Sequence, residues 1–217
     1  MNMNTTCTPA QLDALRRLGA ATIYEAQGAR GALDSGLKPL DPGSILVGPA
    51  FTVDARPADN LILHLAVQKA RPGDVLVVDA KAFMEAGPWG DVLTLQAMHK
   101  GIAGLVISGC VRDASAIVGL GFPVFCRGLS IKGTGKNQPG VLNAPLAIGG
   151  GVVHPGDIVV GDRDGLVVVP QDEVAAALEN SLAREDKERA QRLAIERGTS
   201  TIELLGLQPA LDRLGLR

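Results

Sequence analysis

The sequence predicts a mixed α/β fold with a β-rich middle and helical ends. Three observations carry this. Between 75 and 126, short apolar runs alternate with helical patterns, the signature of parallel strands joined by crossover helices. Over 149–170 there are only strand and turn signals. Over 171–197 one long helical pattern is apolar first (Val174, Ala177, Leu178) and heavily charged from Arg184 to Arg192. No linker is visible, so 1–217 reads as a single domain with a C-terminal helical arm over about 171–217.

The elements follow in order. Thr8-Pro9 is an N-cap followed by proline at the first helical position. Leu12, Leu15, Leu18 and Ile23 continue one helix towards a stop at Gly28. The Gly- and Pro-rich stretch 31–49 reads as loop, and 50–55 as a strand. Asp59 is placed to cap a second helix running to Ala70. Arg71-Pro-Gly-Asp74 then turns into the strand 75–79, and His154-Pro-Gly-Asp157 repeats that unit before Ile158. Between these units, 91–100 is read as helix, 104–108 as strand, 114–120 as helix and 123–126 as strand. Gly161-Asp-Arg-Asp-Gly165 is a hairpin-like break, with turn chemistry the default for Asp162, Arg163 and Asp164.

Composition narrows the function. Apolar residues are 46% and charged residues 20%, an ordinary globular balance. Aromatics are 3%, so the core must be aliphatic. A formal charge of -2 argues against nucleic-acid binding through a basic surface. Cys7, Cys110 and Cys126 are odd in number and lack CxxC spacing, which fits a reducing cytoplasm, with Cys110 and Cys126 as small buried hydrophobes. The first eleven residues lack a signal-peptide pattern, and no apolar run reaches the roughly 18 residues a membrane helix needs. A soluble protein with no membrane partner is the expectation.

The chemistry concentrates in two junctions. Trp89-Gly90-Asp91 opens one helix, whose free amides at Val92, Leu93 and Thr94 suit a carboxylate or phosphate. Arg112-Asp113 opens another, directly after a strand, and ligands in α/β folds gather where strands end and helices begin. Arg112 offers a fork matched to a carboxylate. Asp91 and Asp113 are hard oxygen donors suited to Mg²⁺ or Mn²⁺. Spacing alone equally permits both aspartates as helix N-caps and Arg112 as a surface charge.

Asp91, twenty intervening residues, then Arg112-Asp113 resembles the signature of the class II 4-hydroxy-4-methyl-2-oxoglutarate/4-carboxy-4-hydroxy-2-oxoadipate aldolases of the RraA-like family. The similarity extends through 73–79, 104–113, 121–125, Arg127-Gly128 and 161–170, and spans roughly residues 10 to 200. The resemblance implies a phosphohistidine-domain-like (swivelling) α/β sandwich with a β-barrel-like centre, assembled as a homotrimer or homohexamer. It implies metal-dependent retro-aldol cleavage of a small 2-oxo acid to pyruvate, with oxaloacetate decarboxylase activity through the same pyruvate enolate, in the degradation of aromatic compounds. Asp113 would hold Mg²⁺ or Mn²⁺, Asp91 would act near the metal's waters, and Arg112 would hold substrate and enolate charge. Gly90, Asp91, Val92 and Leu93 would bind the pyruvyl carboxylate. Glu188 of a neighbouring subunit, with Glu185 as second choice, would assist the base. The alternative within the same family is a regulator of ribonuclease E acting by protein contact, which lacks the full acidic constellation.

Other signals are weaker. Lys81, Lys132 and Lys136 lie nearest apolar or Gly-rich segments, but none has a Schiff-base pattern, and Lys136 reads as an exposed loop lysine or a contact for a substrate carboxylate. His64, His99 and His154 are dispersed, which speaks against a zinc enzyme. Trp89 fits a pocket wall and plain packing equally well.

Overall fold

The central strands over 75–78 and 104–107 carry apolar side chains on both faces, which calls for packing on both sides. The computed structural model describes residues 7–216; the reading of 1–6 and of Arg217 lies outside it. Helices α1 (Pro9–Leu18) and α2 (Ala20–Ala26) come first, then strands β1 (Lys38–Pro39) and β2 (Leu46–Asp54), helix α3 (Leu61–Lys69), β3 (Val75–Phe83), α4 (Asp91–His99), β4 (Gly104–Val111), α5 (Ala114–Leu120) and β5 (Val124–Cys126). Short strands β6 (Gly128–Leu129), β7 (Val141–Leu142), β8 (Leu146–Ile148) and β9 (Gly151–Val153) follow. Strands β10 (Ile158–Gly161) and β11 (Leu166–Val169), the long helix α6 (Val174–Glu196), α7 (Thr201–Leu204) and α8 (Gln208–Arg213) complete the chain.

The main sheet runs β1-β5-β4-β3-β2-β10-β11. Strands β2, β3, β4 and β5 pair in parallel, as the alternating pattern predicts. Ala32 bridges Val167, and Leu33 N donates to Leu166 O, so the segment leading into β1 meets β11. The sheet thereby nearly closes into a barrel. Its interior holds Val75, Val77, Val106, Phe125, Leu146 and Val159. The outer face of the parallel strands, with Leu76, Val78, Leu105 and Ile107, packs against α3, α4 and α5. Helices α1, α2 and α6 cover β10 and β11 through Leu15, Ile23, Val174 and Leu178. The mixed α/β class with a barrel-like centre and a long C-terminal helix is therefore observed.

The two Pro-Gly turns are near copies. Arg71 N donates to Asp74 Oδ2 at 2.7 Å and His154 N to Asp157 Oδ2 at 2.8 Å. Gly73 (φ 88) and Gly156 (φ 91) take the same left-handed conformation, which glycine adopts at least cost.

Several expectations change. The first helix is two, broken at Gly19 (φ 77), where Asp162 Oδ2 accepts the Ala20 amide at 2.7 Å. The hairpin residue Asp162 thus anchors a helix start 142 positions away. The stretch 31–49 contains β1 and the beginning of β2. Asn60, not Asp59, is the N-cap of α3, although Asp59 Oδ1 still accepts the Leu61 amide at 3.0 Å. The long helix begins at Val174, after a 3-10 turn over Gln171–Glu173.

Strand β3 also runs on to Phe83 across an irregularity. There Lys81 (φ 60) and Ala82 (φ 50) both take left-handed conformations, each costing an L-residue about 1 kcal/mol or more. The bulge is held by Lys81 N donating to Asp79 Oδ1 at 2.8 Å and Ala82 N donating to Ser108 Oγ at 3.1 Å.

Candidate functional site

The two predicted junctions meet. Arg112 N donates to Trp89 O at 2.9 Å, which ties the end of β4 to the turn before α4. Asp113 takes a left-handed conformation (φ 59) at the N-cap position of α5 but makes no capping bond. Its carboxylate turns to the other junction, where Asp113 Oδ2 lies 3.3 Å from Arg112 Nε and 3.4 Å from the Asp91 amide. The capping role that spacing alone permitted for Asp113 is not the one it plays.

Gly90 makes this approach possible. A Cβ on Gly90 would sit 2.4 Å from Asp113 Oδ2 and 3.2 Å from Arg112 Nε, so the Asp113 carboxylate could not stay where it is. Gly87 is similarly constrained, with Ser130 O 2.4 Å from its notional Cβ.

The turn rests on buried groups. Trp89 is fully buried and stacks on Phe122 with ring centroids 6.4 Å apart, so it is core and not a pocket wall. Its Nε1 donates to Thr94 Oγ1 at 2.8 Å, and Thr94 Oγ1 donates to Gly90 O at 3.0 Å. Asn60 Nδ2 donates to Pro88 O at 3.0 Å. The Thr94 amide, expected free for an anion, donates to Gly90 O at 3.1 Å. The Thr94 hydroxyl, Asn60 and Gly87 are the supporting groups that sequence reasoning missed. The Gly87-Pro-Trp-Gly90 run was the available signal for one of them.

Asp91 is the first residue of α4, with Gly90 as its N-cap, and Asp91 Oδ1 accepts the Val92 amide at 2.7 Å. That amide, expected free, is occupied in this arrangement, whereas among the described residues the Leu93 amide donates to no group. Leu93 itself is buried in the core, while Val92 is 71% exposed.

The donor set suits a hard cation. No group of three or more His, Cys, Asp and Glu side chains converges among the described residues. What the site offers is an exposed carboxylate, Asp113, beside Asp91. Mg²⁺ and Mn²⁺ accept one or two carboxylates with water in the remaining positions, whereas a structural zinc site would need more protein ligands.

Glu188 is elsewhere in the single chain. It lies on α6, which packs mainly on α1 and α2. Its Oε1 is 2.9 Å from Arg184 Nε, and its Oε2 is 3.6 Å from Arg192 Nη1. Glu185 pairs with Arg192 Nη2 at 2.6 Å. Among the described residues neither glutamate pairs with Arg112; both pair with arginines of α6 itself.

Of Lys81, Lys132 and Lys136, the first two are charge-paired. Lys81 Nζ lies 2.5 Å from Asp54 Oδ1 and 2.7 Å from Asp79 Oδ2. Burial disfavours the ammonium, but these two carboxylates outweigh it and hold the lysine above its ordinary pKa, the reverse of a Schiff-base nucleophile. Lys132 pairs with Glu85. Lys136 lies in the loop whose Asn137 and Gln138 amides donate to Asp59 Oδ2 at 2.8 and 3.2 Å.

Comparison with known proteins agrees with the fold. The model of the RraA-like family, described as Aldolase/RraA, matches residues 13–168. A protein of Halalkalibacterium halodurans named "Putative 4-hydroxy-4-methyl-2-oxoglutarate aldolase" is 39% identical over 199 residues, 92% of each chain. A crystal structure of an uncharacterized protein from Pseudomonas syringae pv. tomato superposes with a TM-score of 0.78 at 31% identity, covering 90% of this chain and 96% of that one. Streptomyces coelicolor RraAS2, described as an unusual member of the RNase ES inhibitor RraA protein family, gives a TM-score of 0.76 at 31% identity, covering 86% and 98%.

Proposed function

The chain belongs to the RraA-like (Aldolase/RraA) family, and from that premise we propose that it is a divalent-metal-dependent lyase that cleaves a small 4-hydroxy-2-oxo acid to pyruvate. The observation that carries the reading is the Asp113 carboxylate, turned out of its helix cap and set beside Arg112 and the start of α4. The aldolase name of the Halalkalibacterium relative supports the same reaction class.

Asp113, with Asp91 beside it, would hold Mg²⁺ or Mn²⁺. A divalent cation bound there supplies a Lewis acid for the substrate's 2-oxo oxygen. Arg112 takes the C1 carboxylate and opposes the negative charge that grows on the 2-oxo oxygen. The Leu93 amide at the start of α4, with the Asp91 and Val92 amides once their present partners yield, contributes further donors for that carboxylate. A carboxylate base removes the 4-hydroxyl proton, the C3–C4 bond breaks, and its electrons become the enolate of pyruvate. Protonation at C3 then completes the product. For 4-hydroxy-4-methyl-2-oxoglutarate the other fragment is also pyruvate, and for 4-carboxy-4-hydroxy-2-oxoadipate it is oxaloacetate. Loss of CO₂ from oxaloacetate leaves the same enolate, so decarboxylation belongs to the same site.

We assign the base to Glu188 of a second copy, since within one chain that residue is held on α6. Two features support an assembled site. Val92 and Leu95 of α4 are 71% and 51% exposed beside Asp91, an apolar surface suited to a second copy. In the single chain the Arg112 and Asp113 side chains are also 47% and 39% exposed, so the site is open to a second copy.

The test is metal reconstitution. Protein stripped with EDTA should release no pyruvate from either hydroxy-oxo acid or from oxaloacetate, and Mg²⁺ or Mn²⁺ should restore release. The RraAS2 likeness supports the second reading, inhibition of a ribonuclease by contact. Metal-independent ribonuclease inhibition without pyruvate release would select it.

A further inference from the structure

The mouth of the barrel is a second polar cavity that the lyase site does not use. It measures about 540 Å³ and is lined by Asp79, Lys81, Ser108 and Arg127 on one side and by the β8–β9 hairpin, 147–152, on the other. That volume is within the range of small-molecule sites, and barrel mouths and the C-terminal ends of parallel strands are where such sites form.

The sheet register builds it. On the barrel-facing side, Val75 and Val77 of β3 give way to Asp79, Val106 of β4 gives way to Ser108, and Phe125 of β5 gives way to Arg127. The lining changes from apolar to polar at one level of three neighbouring parallel strands. The paired left-handed residues Lys81 and Ala82 lie at the same level, and such strain persists where surrounding structure fixes it, often at ligand sites.

The remaining hydrogen-bonding capacity identifies the ligand. Each carboxylate near the mouth already faces a cation: Asp54 and Asp79 face Lys81, and Asp34 Oδ2 lies 3.2 Å from Arg127 Nη2. The open capacity is in donors. Arg127 Nε is buried without a partner. Ser108 Oγ accepts from Ala82 N, which leaves its hydroxyl proton to donate. Asp34 is the exchangeable member, a loop carboxylate whose side chain is 43% exposed. A ligand carboxylate replacing it at Arg127 leaves the local charge unchanged, whereas a phosphate dianion does not. The hairpin adds Ile148 and Val152 as an apolar wall.

We propose that the barrel mouth is a binding site for a small organic monocarboxylate with a short apolar tail, held by Arg127 and Ser108 and separate from the Arg112–Asp113 centre. The site goes beyond the lyase reading and stands without it. The probe is butyrate, with inorganic phosphate as comparison, measured by equilibrium titration on the full-length protein without metal or substrate. Wild type and Arg112→Ala should bind butyrate equally, and Arg127→Gln should weaken it about tenfold or more. Ala147→Phe, which fills the mouth from an exposed hairpin position, should weaken it as much and decides the matter should Arg127→Gln fail to fold by circular dichroism. No butyrate binding, phosphate binding as tight as butyrate, or a loss that follows Arg112 instead of Arg127 and Ala147 would overturn the proposal.

Discussion

Asp113 and Gly90 are locked together across two helix starts: the carboxylate oxygen of one occupies space that any side chain on the other would need. A Cβ at Gly90 would meet Asp113 Oδ2 at 2.4 Å, so Gly90→Ala must push the carboxylate away from Arg112 and the Asp91 amide. Pyruvate release should fall about a hundredfold, as expected for misplacing a catalytic group by about 1 Å. Circular dichroism and melting temperature should stay near wild type, because the displaced group is at the surface.

Arg112→Lys should not rescue activity. The guanidinium lies 3.3 Å from Asp113 Oδ2 through Nε and leaves its planar fork for a substrate carboxylate. Lysine keeps the charge but loses the fork. Steady-state kinetics on Arg112→Lys and Arg112→Ala should both show kcat/KM reduced by about a hundredfold or more.

Thr94 acts through Gly90. The buried relay from Trp89 Nε1 to Thr94 Oγ1 to Gly90 O fixes the turn from which α4 starts. Thr94→Val leaves the Trp89 N–H buried without a partner, which costs about 1–3 kcal/mol of stability by denaturant titration. Thr94→Ser should recover most of that loss. Failure of serine to recover it would mean that the methyl group's packing, not the relay, holds the turn.

Acid should loosen the loop at 135–138. Burial pushes the Asp59 carboxyl up, but the backbone amides of Asn137, Leu61 and Gln138, with Lys136, outweigh it and hold it below the ordinary value. A carboxyl depressed in the folded state contributes stability that is present above its unfolded pKa and lost as pH falls through its folded pKa. Stability should therefore drop below about pH 4, and Asp59→Asn should flatten that part of the pH profile while destabilising the protein at neutral pH.

The two strand cysteines should be inert. Cys126 is 5% exposed, and burial pushes its thiol up to about 11. Cys110 is raised as well, first by burial and then by Glu85. Native protein at pH 8 should label at neither residue with a thiol reagent, while denatured protein labels at both.

The parallel strands and their crossover helices were legible because each apolar run is bounded by its own turn residues. That two helix starts carry Gly90-Asp91 and Arg112-Asp113 was legible for the same reason, since each pair stands where a local pattern changes. The break at Gly19 was not, because it depends on Asp162, 142 positions away in the sequence. The bulge at Lys81-Ala82 carries no Gly or Pro, and its cause is a meeting of Asp54, Asp79 and Ser108 across three strands. Single-sequence patterns report what neighbours in the chain do. They do not report which groups a parallel register will align.

The most direct measurement is pyruvate release from 4-hydroxy-4-methyl-2-oxoglutarate by wild type and Asp113→Ala, side by side, with saturating Mg²⁺ and with EDTA. The account predicts release by wild type with Mg²⁺ alone, and none above background in the other three conditions. Undiminished release by folded Asp113→Ala, or by wild type in EDTA, would contradict it.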